Sequence, residues 1–412
     1  MDRKRTRSDI HRERRAGIVA ALLAVFGLFA TAEPAHAGFY QQIDLNTDSN
    51  ANLTALGYPA TDNPDNLDLK NPWGILHSPT SPFWLSDNGA GKTTLYNGAG
   101  VKQGLVVTIA TPLGQTPGTA TPTGQVRNGA VPTGFNVTEA GKTGPSSFIF
   151  ATEDGTISGW NPNVDGTHSI IAVDKSAIPT AGAGAVYKGL AIAPDQSLLY
   201  AANFRAGTVE VYDPTFKQVN TITDPTVPAG LAPFNVQVLD GKLYVSFALQ
   251  DAAKHDDVAG PGNGFVDVFN LDGTGRQRLI SQGALNSPWG LDFAPANFGP
   301  FANDLLVGNF GDGEINVFDP VADALIGSLT DAIGNPILGL WALENGNNGP
   351  GFDPNAVYFT AGLPTFGVPD SLESAGLFGE IAFVPEPGSL ALLATCLTGL
   401  MWLRRRGART QA

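Results

Sequence analysis

The stretch NPWGILHSPTSPFWLSDNGAGKTTLY, residues 71–96, is echoed by SPWGLDFAPANFGPFANDLLVGNFGDGEINVFD, residues 287–319. Each stretch contains short runs of β-branched and aromatic residues separated by Gly, Asn, Asp and Pro, which is typical of strands joined by tight turns. Four further segments begin in a similar way, with GFNVTE at 134, KGLAIAP at 188, PFNVQVL at 233 and GLWALE at 339. The chain therefore contains six repeats, and the two matching PWG strands open the first and the fifth. The positions taken as equivalent in the six repeats are Gly74, Asn136, Gly189, Asn235, Gly290 and Gly339.

Within the repeats, the opening strand is followed by three further strand-like runs in a constant order. A unit of about 40–60 residues with four strands is typical of a β-propeller. The sixth repeat lacks a fourth run, whereas FYQQIDL at 39–45 is a strand-like run without a repeat of its own. We therefore predict an all-β, six-bladed β-propeller over 38–383, whose N-terminal strand completes the last blade and hides the free edges of the ring. Two sheets packed as a sandwich are the alternative fold.

The first 37 residues are typical of a secretion signal. Basic residues precede the 13-residue apolar run IVAALLAVFGLFA, which is followed by AHA at 35–37. This is the order of a signal peptide, and the run is too short for a permanent membrane span. We predict a signal peptide over 1–37 with cleavage between Ala37 and Gly38. The pair Arg14-Arg15 leaves twin-arginine export open beside the general secretion route.

The segment VPEPGSLALLATCLTGLMWLRRR, 384–406, combines a Pro-Glu-Pro sequence, a short apolar transmembrane segment and three arginines that would stay on the cytoplasmic side. It resembles the PEP-CTERM sorting signal of Gram-negative bacteria. That resemblance implies cleavage by an exosortase near Pro385, Glu386 and Pro387, and makes 407–412 a cytoplasmic tail. The protein would be anchored in the inner membrane before processing, and would then lie at the outer membrane, the cell surface or the extracellular matrix. An ordinary C-terminal membrane anchor is the alternative.

The body between these two segments is strongly acidic. The chain has 24 Lys and Arg and 38 Asp and Glu residues. Segments 1–37 and 385–412 hold 11 of the basic and 5 of the acidic residues. The body therefore has 13 basic and 33 acidic side chains, a net charge of −20. Such a surface argues against nucleic acid and anionic lipid as partners, and suits cationic ligands, divalent metal ions or simple solubility. The only cysteine, Cys396, lies in the C-terminal segment, so the body has no disulfide and no cysteine nucleophile.

The body also resembles an uncharacterised family of exported bacterial proteins that often carry this C-terminal signal. The resemblance covers nearly all of 39–383 and rests on NPWG, SPTSPFWLSDN, ATEDGTISGW, VYKGLA, APFNVQ, DDVAGPGNGFVDVF, PWGL and LVGNFGDG. That family brings no established activity. In outline the body is also similar to NHL-type propellers, which bind proteins, RNA or sugars, or act as lactonases and lyases.

In a propeller, the loop before the innermost strand and the loop between the second and third strands emerge on one face, around the central channel. We expect any ligand to bind there. The candidates on these loops are Asn71, Asp87, Asn88, Asp154, Asn203, Asn309 and Asp312, with Glu153, Lys188 and Asn286 beside them. The alternative role for Asn and Asp is to form turns by bonding their own backbone.

The loop QDAAKHDDVAGPGNG, 250–264, is longer than the corresponding loops of its neighbours. It brings Asp251, Asp256 and Asp257 close together, with glycines that allow backbone carbonyls to turn inward. Calcium takes six to eight oxygen ligands of these kinds. The sequence therefore predicts a calcium site in this loop, and a solvated acidic loop is the alternative.

Two functional interpretations follow. The first is a non-catalytic, exosortase-processed propeller that acts as a binding or surface-matrix module, with calcium as a stabilising ion and an extracellular polysaccharide or protein as partner. The second is a metal-dependent hydrolase or lyase of the lactonase type, with its site in the central channel. The chain has no G-x-S-x-G or H-E-x-x-H motif, but His255 beside Asp256 could act as a base with a metal.

Overall fold

The computed structural model describes residues 38–64, 67–114, 118–129, 131–180, 182–330, 334–349, 351–369 and 371–385. Within them, Tyr40–Val384 form one compact unit whose strands make six four-stranded sheets, so the six-bladed propeller is confirmed. The predicted signal peptide, Glu386, Pro387 and the segment that follows lie outside the described residues. No helix in the described part of the chain combines the length and apolar character needed to cross a membrane.

Strands are numbered along the chain. The first, β1 (Gly38–Thr47), precedes a short helix, α1 (Asn50–Ala55). Blade 1 contains β2 (Pro72–Leu76), β3 (Phe83–Asp87), β4 (Lys92–Tyr96) and β5 (Lys102–Thr108). Blade 2 contains β6 (Pro122–Arg127), β9 (Phe148–Thr152), β10 (Thr156–Trp160) and β11 (Ile170–Asp174). The intervening β7 (Asn136–Glu139) and β8 (Lys142–Pro145) pair only with each other.

The other four blades follow the predicted order. Blade 3 contains β12 (Tyr187–Ile192), β13 (Leu199–Asn203), β14 (Thr208–Tyr212) and β15 (Gln218–Ile222). Blade 4 contains β16 (Leu231–Leu239), β17 (Lys242–Leu249), β18 (Gly264–Phe269) and β19 (Gln277–Ser281). Blade 5 contains β20 (Pro288–Phe293), β21 (Leu305–Asn309), β22 (Ile315–Asp319) and β23 (Ala324–Ser328). Blade 6 contains β24 (Leu340–Asn345), β25 (Val357–Leu363), β26 (Ala375–Pro385) and β1.

The N-terminal strand closes the ring. Strand β1 pairs with β26 and becomes the outermost strand of blade 6. Its Tyr40 side chain is buried, donates a 2.7 Å hydrogen bond to the Phe298 carbonyl oxygen, and stacks on Phe301 at 5.5 Å between ring centroids. Because Phe298 and Phe301 follow the inner strand of blade 5, this contact ties the closing strand to the neighbouring blade.

The six inner strands, β2, β6, β12, β16, β20 and β24, surround the channel, and each has a bulge in its pairing with the second strand of its blade. The residues at these bulges are Trp73, Thr123, Lys188, Phe234, Trp289 and Trp341. The aromatic members meet at the axis: Trp73 stacks on Trp341 with centroids 3.4 Å apart, and Trp289 meets both edge-on at 6.0 Å. We call Trp73, Phe234, Trp289 and Trp341 the aromatic plug; it divides the channel into two ends.

Two of the predicted repeat equivalences are wrong. The segment GFNVTE does not supply the inner strand of blade 2, because β7 turns back through Ala140 and Gly141, both at positive φ, and pairs with β8. The inner strand is β6, whose polar residues are satisfied across the blades: Thr123 donates to the Tyr187 carbonyl at 2.8 Å, and Gln125 donates to the Gly74 carbonyl at 3.0 Å.

In blade 6 the residue equivalent to Gly74 is Ala342 rather than Gly339. The bulge of β24 lies between Leu340 and Leu343, and Gly339 precedes the strand at positive φ.

Candidate functional site

Polar side chains from five blades meet where the inner strands begin, above the aromatic plug. We call this cluster the axial mouth, and it comprises Asn71, Asn88, Glu153, Lys188, His255, Asp256 and Glu373. The loops that supply them precede β2, follow β3 and β9, and join β17 to β18 and β25 to β26, while Lys188 lies within β12. The inner strands all run away from this end, so their entry loops and the loops after the second strands share one face.

Lys188 is the centre of the axial mouth. It occupies the bulge position that is aromatic in four other blades, and its side chain is only 2% exposed. Its Nζ is ion-paired with Glu153, lies 3.2 Å from Asp256 Oδ1, and sits 4.9 Å from the ring centroid of Trp73. Burial alone would lower the pKa of Lys188, but the two carboxylates more than offset this and hold the pKa above its ordinary value. Lys188 is therefore a buried cation held between carboxylates and an aromatic face.

Beside Lys188, His255 Nδ1 lies 2.8 Å from Asp256 Oδ1. The hydrogen bond to Asp256 raises the pKa of His255, and the same bond holds the pKa of Asp256 well below its usual range. Glu153, His255 and Asp256 each offer a ligand atom, and these atoms lie within 4.8 Å of one another. In the described part of the chain this is the one group of His, Cys, Asp or Glu residues so placed. An imidazole nitrogen and two carboxylates are a suitable donor set for a divalent metal.

A hydrogen-bonded chain fixes the mouth to the aromatic plug. Trp341 Nε1 donates to Asn71 Oδ1 at 2.9 Å, and Asn71 Nδ2 donates to Glu373 Oε2 at 2.7 Å and to Asn88 Oδ1 at 3.3 Å. Asn88 Nδ2 in turn donates to Glu153 Oε2 at 2.8 Å. Burial, together with the negative charge of the neighbouring Glu153, raises the pKa of Glu373 to about 7. The mouth thus holds a carboxyl group that titrates near neutral pH.

The side chains of the remaining channel-face candidates form hydrogen bonds with groups outside the axial mouth. Asp154 accepts the Thr121 backbone N–H at 2.8 Å, and burial raises its pKa. Asn203 closes a local turn by accepting the Ala206 N–H at 3.1 Å, and it also donates to Glu210 at 3.0 Å.

Asn309, Asp312 and Asp87 are similarly engaged. Asn309 donates to the Ala284 carbonyl at 2.8 Å, and Asp312 accepts from Asn286 at 2.9 Å. Asp87 is fully buried and accepts the Thr94 hydroxyl at 2.6 Å, and burial raises its pKa well above the usual range. Of the seven predicted residues, Asn71 and Asn88 belong to the axial mouth.

The three aspartates of the loop 250–264 have different environments. Asp251 Oδ1 accepts the backbone N–H of His255 at 2.8 Å, which makes Asp251 a turn former within the loop. Asp256 belongs to the mouth. Asp257 has a buried Oδ2 without a recorded partner among the described residues, and burial raises its pKa. The possible ligand group therefore pairs Asp256 with Glu153 and His255, and the calcium site on all three aspartates stays a prediction.

The C-terminal segment is identified independently of the propeller. Residues 383–406 match the model of the PEP-CTERM protein-sorting motif, in agreement with the sequence prediction. This motif implies an exported protein that is anchored in the membrane before an exosortase processes it. The described part of the chain reaches Pro385, the first residue of the Pro-Glu-Pro sequence, at the end of β26.

The chain also has relatives among curated proteins. It is 30% identical to uncharacterized protein R648 of Acanthamoeba polyphaga mimivirus over 304 residues, which is 71% of this chain and 72% of that protein. The chain belongs to the family of R648. The chain is also 34% identical to uncharacterized protein L690 of the same virus over 260 residues, which are 61% of this chain and 66% of L690, so the chain spans just under two thirds of that relative. Neither name states an activity.

Solved structures that resemble this chain include a streptogramin B lyase and the virginiamycin B lyase from Staphylococcus aureus. The first is 11% identical, covers 85% of this chain and 100% of its own, and has a TM-score of 0.48. The second is 12% identical, covers 84% of this chain and 99% of its own, and has a TM-score of 0.42.

Proposed function

We propose that this exported protein is a binding module of the bacterial cell surface or extracellular matrix, and that its axial mouth is the binding face. The observation that carries the proposal is the convergence of charged and hydrogen-bonding side chains from five blades over a buried lysine. Such convergence at one end of a channel creates a polar site that no single blade could form. The partner would be an extracellular polysaccharide or protein reached after export and processing.

A divalent metal ion at Glu153, His255 and Asp256 would be part of this binding face. The set of one imidazole and two carboxylates favours a transition metal such as Zn²⁺ or Mn²⁺, whereas Ca²⁺ prefers oxygen ligands alone. Lys188 already neutralises Glu153 and Asp256, so a metal must compete with its ammonium group for both carboxylates.

The test is thermal unfolding of the purified protein in EDTA and in titrations of Zn²⁺, Mn²⁺ and Ca²⁺. An ion at a hundred times its Kd should stabilise the fold by about 2.7 kcal/mol. Glu153→Gln and His255→Ala should abolish the shift, whereas Asp251→Asn, which keeps the oxygen that accepts the His255 N–H, should retain it.

Two other results are informative. A calcium shift lost in Asp251→Asn but kept in Glu153→Gln would move the site to the three-aspartate loop. The absence of any saturable shift would remove the metal from the proposal and leave a metal-free polar binding face.

The second candidate is a metal-dependent hydrolase or lyase, and the His255–Asp256 pair favours it. In this role His255, oriented by Asp256, would act as the general base beside the metal and would not itself be a ligand, because one imidazole lone pair cannot serve both purposes. A panel of lactones and uronate polymers would be assayed with and without the bound metal. Metal-dependent turnover that disappears in His255→Ala would support catalysis, and binding without turnover would support the binding module.

A further inference from the structure

A cavity lies at the end of the channel opposite the axial mouth, where the inner strands finish. We call it the axial pocket. Its volume is about 210 Å³, all six inner strands line it, and its floor includes Trp289 of the aromatic plug. Around its opening are four partly exposed polar side chains, His77, Arg127, Gln237 and Glu344. None of them belongs to the axial mouth.

Arg127 is the last residue of β6. Among the described residues its guanidinium has no recorded ion pair or hydrogen bond, and the same holds for the side-chain amide of Gln237. The other three body arginines differ: Arg205 donates to the Gly184 carbonyl, and Arg276 and Arg278 are both paired with Asp224. A planar group with five donors therefore faces a cavity with its hydrogen-bonding capacity unused.

The carboxyl groups near Arg127 do not neutralise it. Burial raises the pKa of Glu344 to about 8, and burial together with Glu344 raises the pKa of Asp292 well above its usual range. Asp292 is occupied by the backbone N–H groups of Phe293 and Asn345, at 2.8 and 2.9 Å. At neutral pH Glu344 is therefore largely a neutral hydrogen-bond donor.

The histidine at the opening is held in place by its neighbours. Burial, reinforced by the charge of Arg127, lowers the pKa of His77. Its two ring nitrogens lie 2.8 Å from the carbonyl oxygens of Ser78 and Asn345, and Nε2 is 3.2 Å from Glu344 Oε1. Because Glu344 is largely uncharged at neutral pH, Arg127 gives the pocket a positive character within an acidic protein.

We propose that the axial pocket binds a small organic carboxylate that carries hydroxyl groups, with Arg127 pairing with the carboxylate and Gln237 and Glu344 bonding to the hydroxyls. Arginine pairs with carboxylates through two parallel hydrogen bonds, which gives both affinity and orientation. Trp289 at the floor and the apolar residues of the strands would contact the carbon skeleton. A hexuronate unit or a free hydroxy acid has the required chemistry.

The experiment is calorimetric titration of the purified protein with D-galacturonate, D-galactose and malate. We expect saturable binding of at least one of the two carboxylates and none of D-galactose, which differs from galacturonate by lacking the carboxylate. Binding of galacturonate alone would identify a uronate as the ligand, and binding of malate alone would identify a free hydroxy acid. Binding of both would show that the pocket accepts hydroxy carboxylates of different sizes.

The variants separate loss of the site from loss of the fold. Arg127→Met should weaken binding at least tenfold while Arg127→Lys retains part of it, and Arg205→Met should leave it unchanged. Unfolding midpoints of all three variants are measured alongside. The proposal would be overturned if galactose bound as tightly as the carboxylates, or if neither carboxylate bound. It would also be overturned if Arg127→Met kept the native unfolding midpoint and bound the carboxylate as tightly as the native protein.

Discussion

Replacing Lys188 by Met tests the axial mouth most directly. Met keeps most of the packing volume but removes the ammonium group between Glu153 and Asp256. Breaking a buried ion pair by removing one partner costs about 3–5 kcal/mol, because it leaves an uncompensated charge. Glu153 is 10% exposed and would keep only its bond from Asn88, whereas Asp256 is 65% exposed and can be solvated. The lower end, about 3 kcal/mol, is therefore expected.

For a propeller body of this size, with an unfolding entropy of about 2.1 cal/mol/K per residue, that cost lowers the midpoint by about 4 °C. The measurement is thermal unfolding in EDTA and again with Zn²⁺ or Mn²⁺. Because the variant has no ammonium group to compete with the metal, it should regain stability at lower metal concentrations than the native protein needs. The extra stabilisation should reach about 2.7 kcal/mol at a hundred times Kd.

The matched control is Lys175→Met. Lys175 also pairs with a buried carboxylate, Glu210 Oε2 at 2.8 Å, but it lies outside the mouth. The Lys175→Met variant should have a lower unfolding midpoint than the native protein in EDTA, and added metal should not raise that midpoint. A Lys188→Met protein that metal fails to rescue, or an equal rescue of both variants, would refute the reasoning that Lys188 stands in for a metal at the mouth.

Three further predictions concern other parts of the molecule. The pKa of Glu344 is raised to about 8, so the folded state binds this proton more tightly than the unfolded state does. The resulting contribution to stability is complete below pH 4.5 and is lost as the pH rises towards 8. In Glu344→Gln, the fall in unfolding free energy between pH 5 and 8 should therefore be smaller by roughly 3 kcal/mol, as urea unfolding at these pH values would show. Tyr40→Phe should cost about 1 kcal/mol through the lost hydrogen bond to Phe298, and Tyr40→Ala about 3 kcal/mol or more because the closing strand loses its aromatic contacts, as urea midpoints would show. Glu386→Ala should impair exosortase processing, so that fractionation finds more of the unprocessed chain in the inner membrane.

The architecture was predictable where a pattern repeats. Four strand-like runs recur in nearly every repeat, and the missing run in the sixth repeat, set against FYQQIDL near the start, was enough to predict that β1 closes the ring. The inner strand of blade 2 was not predictable in this way. GFNV at 134–137 imitates PFNV at 233–236, whereas PTGQVR at 122–127 has few of the residues that indicate a strand. Its Thr and Gln are acceptable in the interior only because carbonyl groups of both neighbouring blades accept their hydrogen bonds.

The site was predictable only in part, for a related reason. Loop position predicted one face for Asn71, Asn88, Glu153 and Lys188, because propeller topology fixes where these loops emerge, and hydrogen bonds and an ion pair link these side chains in the structure. Glu373 was missed, since it lies in a loop between β25 and β26 that carries no recognisable motif. The axial pocket was also missed, because Arg127 ends a strand that the sequence pattern did not reveal, and the neutral state of Glu344 depends on burial that only the folded structure shows.

The six bulge residues explain why one channel has two chemically different ends. An aromatic residue at all six positions would crowd the axis, because Trp73 and Trp341 already stack at 3.4 Å and Trp289 meets both. Thr123 relieves the crowding, and its hydroxyl ties two blades together. At the bulge of blade 3, Lys188 takes the place of an aromatic side chain. Its ammonium group lies over the Trp73 ring and pairs at the axis with carboxylates from blades 2 and 4, Glu153 and Asp256. The substitution of one lysine for an aromatic residue in a repeated position therefore creates the mouth, while the plug beneath it keeps the charges of the two ends apart.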